Sequence, residues 1–210
     1  MFDVKNLPAH SILGPSGSSR WLKCTRSVRE EQKYPEQESE FAREGTQAHE
    51  ISEAILLGRT DMLEMASSIF DYYSTGMLEY CNQYAQKVLN DLSYIRSFDP
   101  NAKLWVESKV FYTEYAPEGF GTADSIIYGA GMLIVNDFKY GKGVRVDAKD
   151  NSQLKLYALG AYLKLKDEHQ INHIRMKISQ PRLDNFSEDD ISPTELMDWV
   201  TNTVAPATRS

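Results

Sequence analysis

The sequence predicts an α/β fold in which a small central mixed β-sheet is flanked by helices. Two segments alternate between apolar and polar side chains, which is typical of strands with one buried face. Two more strand-like segments flank the turn Gly129-Ala130-Gly131, which predicts a β-hairpin. A later segment carries apolar side chains at helical spacing. The alternating segments are residues 104–112 and 171–178, the hairpin strands are 119–128 and 132–140, and the helix is 153–166.

Residues 1–210 are expected to form a single domain, because 41% hydrophobic and 25% charged residues are ordinary proportions for one globular unit. A helical insertion is predicted at about 61–98, before the first strand. The sheet and the catalytic core follow at about 104–180, with the hairpin at one edge of the sheet. A final helix is predicted at about 187–204, opened by Ser192-Pro193, because proline is favoured in the first turn of a helix.

The most informative pattern is an acid followed two residues later by a lysine on the second hairpin strand. Alternate side chains of a strand share a face, so Asp137 and Lys139 point the same way while Phe138 packs on the other side. Pairing about the turn places Asp124 opposite Asp137 to within about one residue, a register that the sequence leaves open. Two carboxylates and an ammonium group are therefore expected in one pocket.

Two neighbouring carboxylates repel each other unless a divalent cation lies between them. Oxygen ligands suit Mg²⁺ or Mn²⁺, which keep positions open for water and for a phosphate oxygen. The pattern thus predicts phosphodiester hydrolysis, in which Lys139 neutralises charge on the scissile phosphate and helps to orient the attacking water. Gln153 and Tyr157 lie one helical turn apart, so they are expected to support this lysine or the substrate from the same side of a helix.

These residues, in this order, resemble the PD-(D/E)XK nuclease superfamily, and specifically its RecB-like branch. The resemblance covers about 16–181 and includes residues 44–53, where His49 lies on a predicted N-terminal helix. It implies a restriction-endonuclease-like core. It also implies a Mg²⁺- or Mn²⁺-dependent deoxyribonuclease, an exonuclease rather than an endonuclease, that serves phage or bacterial DNA recombination, repair or replication.

The same resemblance implies roles for further residues. His49 would supply a nitrogen ligand to the metal, together with the two aspartates and the backbone carbonyl of Phe138. Glu53 lies four residues after His49 and is expected either to orient the imidazole or to be solvated. Glu107, in the first predicted strand, is expected near the metal or the nucleic-acid strand.

The beginning of the chain, residues 15–24, resembles the start of phage-encoded RecB-like nucleases. Ser16 and Arg20 are accordingly expected to contact phosphate or to cap the first helix. Some proteins of this branch bind an iron–sulfur cluster through four cysteines, whereas this chain has only Cys24 and Cys81. No iron–sulfur cluster is therefore expected, whether this version has lost the cluster or the chain stops short of further cysteines. Cys24 is expected to be a small buried or vestigial residue.

The net charge of −7 is unusual for a DNA-binding protein, which commonly presents a basic surface. Several cations nevertheless cluster around the predicted centre, a group that fits a nucleic-acid surface and a solvated loop equally well. Three of them are assigned to DNA binding: Lys142, Arg145 and Lys155.

The chain is expected to be cytoplasmic, in a bacterial cell or a phage-infected host. It has no long apolar segment, and residues 1–5 lack the form of a secretory signal. DNA is the expected partner and no membrane is expected, while a single-strand annealing protein, a helicase or an oligomer stays open. Two alternatives also stay open: a catalytically silent DNA- or partner-binding module of the same fold, and a nuclease subunit active only within a helicase or annealing complex.

Overall fold

A computed structural model describes residues 11–24, 26–31, 33 and 39–209. Over these residues the chain is an α/β protein with a five-stranded mixed sheet flanked by helices, which confirms the predicted fold class. The residues used in the argument about a secretory signal, 1–5, lie outside this part of the chain. None of the described helices is both long enough and apolar enough to cross a membrane.

The helices are α1 (Ser18–Trp21), α2 (Arg26–Glu31), α3 (Glu40–Leu57), α4 (Thr60–Ile69), α5 (Thr75–Arg96), α6 (Ser152–Leu165), α7 (Pro193–Trp199) and α8 (Ala205–Arg209). Short 3₁₀ turns occur at Pro15–Gly17 and Pro181–Leu183, and a π-helical turn at Val200–Val204 joins α7 to α8. The strands are β1 (Lys103–Phe111), β2 (Phe120–Gly129), β3 (Met132–Phe138), β4 (His173–Gln180) and β5 (Asn185–Ile191).

The strands follow one another across the sheet in the order β1-β2-β3-β4-β5. Neighbouring strands are antiparallel except β3 and β4, which are parallel and connected by α6. The prediction that the β2–β3 hairpin forms an edge of the sheet is wrong, because β1 pairs with one side of the hairpin and β4 with the other. Among the described strands, β1 and β5 are the edges.

The sheet is buried on both faces. Helix α6 packs on one face, against side chains that include Val110, Ile126 and Val135. Helices α3 and α5 pack on the other face, over Ile127 and Ile134. The ends of the hairpin strands therefore lie between α3 on one side and α6 on the other.

Two predicted helices have different boundaries in the structure. The stretch at 61–98 is two helices, because Ser74 begins a new one by accepting a hydrogen bond from the Met77 amide at 3.0 Å. Residues 187–191 belong to β5, since they pair with β4, and the last helices begin at Pro193, after a Ser192–Glu195 capping box, and extend to Arg209.

The two cysteines lie in different environments. Cys81 is buried, whereas Cys24 is exposed. Of the two alternatives for Cys24, a small buried residue is wrong, and a vestigial one stays a prediction.

Candidate metal centre

Strand β3 delivers its last side chains to opposite faces of the sheet, as alternation predicts. Phe138 packs toward α3 and α5, where its ring stacks on Tyr84 at 4.6 Å and lies 5.2 Å from the His49 ring. Asp137 and Lys139 lie on the α6 side, with Nζ of Lys139 2.9 Å from Oδ2 of Asp137. Because β3 is central, this ion pair is largely enclosed, and the side chain of Asp137 is only 5% exposed.

The alternation of side chains shifts by one residue where β1 and β2 reach the site. Trp105 and Ser108 are three residues apart, yet Lys164 of α6 contacts both the ring and the hydroxyl. Ala123 and Ile126 are likewise three apart and pack in the same cluster on the α6 face. Regular alternation places residues three apart on opposite faces, so both strands change phase between these positions.

The shift turns two acids toward α3. Glu107 and Asp124 stand at equivalent positions of the paired strands, between the partners Val106–Ser125 and Ser108–Ala123. Glu107 has a φ of 47°, which makes it the one positive-φ residue that lies inside a strand among those the structure describes. A non-glycine residue in this conformation costs about 1–2 kcal/mol, and such strain is typical of functional sites.

His49, near the middle of α3, meets these two acids. Its Nδ1 lies 3.2 Å from Oδ1 of Asp124 and 3.6 Å from Oε1 of Glu107. The candidate ligand atoms of the three residues lie within 4.8 Å of one another, so the group could hold a metal ion. Glu107 was predicted as a secondary residue, and the structure places it among the three candidate ligands. Asp137 was predicted as a metal ligand, and its side chain is paired with Lys139.

The backbone at the end of β3 fixes Asp124. Pairing of β2 with β3 extends to Ser125 and Asn136, and the amide of Phe138 then donates to Oδ2 of Asp124 at 2.6 Å. Asp124 therefore points one oxygen at the β3 backbone and the other at His49. The Phe138 peptide lies beside the group, although a metal-binding role for its carbonyl stays a prediction.

Burial and neighbouring charges shift the pKa values of the acids and the histidine. Burial and the charge of Asp124 raise the pKa of Asp137 to about 6, although Lys139 acts in the opposite direction. Burial also raises the pKa of Glu107. Burial alone would lower the pKa of His49, but the charges of Asp124 and Glu107 raise it well above its usual value. In the metal-free protein a protonated imidazole thus supplies the positive charge between the two acids.

Helix α6 supports the lysine from the other side. Gln153 lies in its first turn, and its Oε1 accepts a hydrogen bond from Nζ of Lys139 at 2.9 Å. The amide nitrogen of Gln153 points at Oδ1 of Asp137 and at the hydroxyl of Tyr157, each at 3.4 Å. Asn151 begins the helix by accepting from the Leu154 amide, which sets the position of Gln153. Gln153 thus contacts Lys139 directly, whereas Tyr157 reaches it only through Gln153; the supporting role of the two residues stays a prediction.

Comparison with known families places the chain in one of them. A family model described as "Protein of unknown function (DUF2800)" matches residues 10–210. The chain belongs to this family. Among solved structures, a chain titled "Crystal structure of SSO0001" is 13% identical, over 88% of this chain and 85% of that one, with a TM-score of 0.29.

Other predicted residues of the DUF2800 protein lie outside the centre. Glu53 pairs with Arg59 at 3.4 Å and does not orient His49, although its charge acts on Glu107. Lys155 projects from a different side of α6, where it contacts Asp150 at 3.3 Å and lies 5.5 Å over the ring of Trp199. The DNA-binding prediction for Lys155 therefore receives no support from its position.

The remaining predicted residues are at the surface. Ser16 and Arg20 are exposed, and it is the neighbouring Ser18 that is buried, with its hydroxyl 2.7 Å from that of Ser152 at the start of α6. Lys142 and Arg145 are exposed on the segment between β3 and α6. Near this segment lie two buried amide side chains that the sequence analysis did not single out, Gln180 and Asn185. Single amide residues at strand ends are common, so their sequence positions do not indicate a functional role.

Proposed function

We propose that this DUF2800 protein is a metal-dependent DNA phosphodiester hydrolase with a PD-(D/E)XK centre of the RecB-like kind. The observation that carries the proposal is the convergence of His49, Glu107 and Asp124 within 4.8 Å. Beside them stands the Asp137–Lys139 pair that the sequence pattern singles out. Carboxylates, a lysine and a glutamine at one end of the sheet form the set that phosphodiester hydrolysis needs.

The donor set fits Mg²⁺ or Mn²⁺. Carboxylates supply hard oxygen ligands, and the imidazole of His49 favours Mn²⁺ over the harder Mg²⁺. Oδ2 of Asp137 is buried and lies 2.9 Å from Nζ of Lys139, so this carboxylate already has a positive partner. We therefore assign His49, Glu107 and Asp124 as ligands, with Asp137 adjacent to them. No iron–sulfur cluster is part of the proposal.

The residues of the centre would have different roles in hydrolysis. A bound ion would polarise the phosphate and lower the pKa of the attacking water. Lys139 places a fixed positive charge beside the phosphate, where it stabilises negative charge that develops in the transition state. Gln153 holds the ammonium group by its 2.9 Å hydrogen bond, and Tyr157 holds the Gln153 amide. His49 must lose its proton before Nδ1 can act as a ligand, so metal affinity should rise with pH.

The test is cleavage of end-labelled linear DNA and of circular DNA in Mn²⁺, in Mg²⁺ and in EDTA. We expect cleavage with either ion and none in EDTA, with linear DNA preferred because the resemblance implies an exonuclease. Asp124→Asn, Asp137→Asn and Lys139→Ala should each lower kcat by about 1000-fold, the order expected for losing an electrostatic catalytic group. Activity in EDTA would contradict metal-dependent hydrolysis.

Matched controls separate loss of chemistry from loss of fold. Asp198→Asn and Lys166→Ala remove the same kinds of charge at exposed positions of α7 and of the far end of α6. Both controls should keep wild-type kcat and Tm. If the Asp137 and Lys139 variants keep more than about a tenth of wild-type kcat, the assigned roles are wrong.

The net charge of −7 favours a variant of this proposal in which the nuclease works within a complex. Acidic proteins repel the DNA backbone, so affinity of the isolated chain for DNA should be weak. A helicase or an annealing protein that delivers the strand would lower KM. Binding of DNA without turnover, in both ions and with such a partner added, would instead indicate the catalytically silent module.

A further inference from the structure

The segment 141–146, here called the 141–146 loop, lies between the end of β3 and the start of α6. Lys139 lies just before the loop and Gln153 lies after it, at the start of α6, and their side chains are hydrogen-bonded at 2.9 Å. Three residues of extended chain span at most about 11 Å. Lys142 is therefore held within that distance of Lys139, measured between Cα atoms.

Gln180, at the end of β4, fixes the loop. Its Nε2 donates to the carbonyls of Gly141 at 3.1 Å and Val144 at 2.9 Å. Its Oε1 accepts from the amide of Val146 and from Nδ2 of Asn185, each at 3.1 Å. These four bonds use the whole capacity of a side-chain amide. Gln180 is 2% exposed, and a buried network in which every group is satisfied specifies one conformation.

Two further residues, Asn185 and Arg182, hold the base of the loop. Asn185, which is 1% exposed, donates from Nδ2 to the carbonyl of Val146 at 2.7 Å. On the other side, Arg182 lies 4.6 Å over the ring of Tyr140 and donates to Glu44 of α3 at 3.2 Å. The loop is thus tied to β4, to β5 and, through Tyr140, to the helix that carries His49.

The 141–146 loop exposes two cationic side chains and contains two glycines whose backbone is not covered by a side chain. Lys142 and Arg145 are exposed. A Cβ built on Gly141 or Gly143 would meet no heavy atom within 4 Å, and neither residue has a left-handed φ. Neither packing nor backbone conformation therefore calls for glycine at these two positions. Glycine leaves the peptide amides open to close approach by a ligand, and amides with nearby cations suit phosphate.

We infer, on the basis of the proposed function, that the 141–146 loop binds phosphates of the DNA strand next to the scissile one. Lys142, Arg145 and the amides near Gly141 and Gly143 make the contacts. Gln180 is a positioning residue, which acts through the loop and not on the reacting atoms. A loop that only connected β3 to α6 would tolerate many conformations, whereas this loop is held in one by a buried amide network.

The test compares three changes with matched controls. Lys142→Ala/Arg145→Ala removes the cations, Gly141→Ala/Gly143→Ala closes the backbone, and Gln180→Ala releases the loop. The first control is Lys103→Ala/Lys166→Ala, which removes two exposed positive charges, one at the start of β1 and one just after α6. The second is Gln86→Ala, which removes an exposed amide on α5. Binding of a fluorescent single-stranded oligonucleotide is measured in Ca²⁺ over a range of salt, and kcat and KM are measured in Mn²⁺.

The cation variant should lower the slope of log K against log salt by about 1.4, because each phosphate contact on a single strand contributes about 0.7. All three changes should raise KM about tenfold while kcat stays within about twofold. The glycine variant should keep the wild-type Tm, which guards against unfolding as the cause. The controls should leave slope and KM unchanged.

Wild-type slope and KM in both the cation variant and the glycine variant would overturn the inference, even if the wild type cleaves DNA. A loss of kcat without a change in KM in Gln180→Ala would also overturn the positioning role. If the wild type never cleaves DNA but the oligonucleotide binds with the predicted slope difference, the proposed function fails while the loop remains a phosphate-binding element. The two failures are therefore distinguishable.

Discussion

Replacing Glu107 by glycine should stabilise the protein without metal and destabilise it with metal, relative to the wild type. At a φ of 47° a residue with a Cβ costs about 1–2 kcal/mol. Glycine removes this strain but costs about 0.4–1 kcal/mol through the greater freedom of the unfolded chain. The pKa of Glu107 is raised, so its charge is also unfavourable in the metal-free fold. The net gain in EDTA is about 0.5–1 kcal/mol, or about 2 °C in Tm.

With metal the order reverses. An ion at about 100 times its Kd stabilises the wild type by about 2.7 kcal/mol. If loss of the Glu107 ligand weakens binding about 100-fold, the same ion concentration stabilises the variant by only about 0.4 kcal/mol. The variant should then be less stable than the wild type by about 1.5 kcal/mol, which is about 3–6 °C in Tm.

Thermal unfolding of both proteins in EDTA and in Mn²⁺ measures this crossover. Glu107→Ala keeps the strained backbone and removes only the carboxylate, and Ala130→Gly relieves a φ of 50° in the hairpin turn, away from the acids. Ala130→Gly should give a similar gain in EDTA and no change in the response to Mn²⁺. If Glu107→Gly gains as much Tm from Mn²⁺ as the wild type does, Glu107 is not a ligand and the assignment fails.

Three further predictions concern pH and packing. In EDTA, Asp137 holds its proton more tightly when folded, with a pKa of about 6 against about 4 unfolded, so stability should fall as pH rises through this window. Asp137→Asn should reduce that slope in denaturant titrations, and the raised pKa of Glu107 should leave part of it. The raised pKa of His49 adds a further loss of stability above about pH 6.5, which His49→Gln should abolish in the same titrations. Gly160→Ala should cost about 1–3 kcal/mol in urea unfolding, because the new Cβ would lie 2.7 Å from that of Val110, whereas Gly45→Ala on α3 meets no atom and should gain about 0.5–1 kcal/mol.

Local sequence was sufficient for part of the site. The common face of Asp137 and Lys139 follows from alternation within one strand, and the spacing of Gln153 and Tyr157 follows from one helical turn. The inward turn of Glu107 could not be predicted in this way. It depends on a change of phase that occurs in both β1 and β2 at this point. With regular alternation the side chain of Glu107 would point toward α6.

Strand β5 was missed for a different reason. It carries three consecutive acids, Glu188 to Asp190, which have low strand propensity. Its conformation comes from its partner: Arg175 of β4 donates to Asp190 at 2.8 and 2.9 Å, and the register places Lys177 beside Glu188. Such cross-strand pairs are visible only once the strands are assembled. The break before α5, by contrast, had a local signal in Ser74, a good N-cap residue, that was overlooked.

The change of phase in β1 and β2 has a consequence for protein engineering. A designer who copied the acids and the histidine onto an idealised, evenly pleated scaffold would aim the carboxylates into the hydrophobic layer beneath the wrong helix. Transplanting this centre therefore requires the irregular strand pair as well as the side chains. Directed evolution that straightens β1 should separate the three candidate ligands.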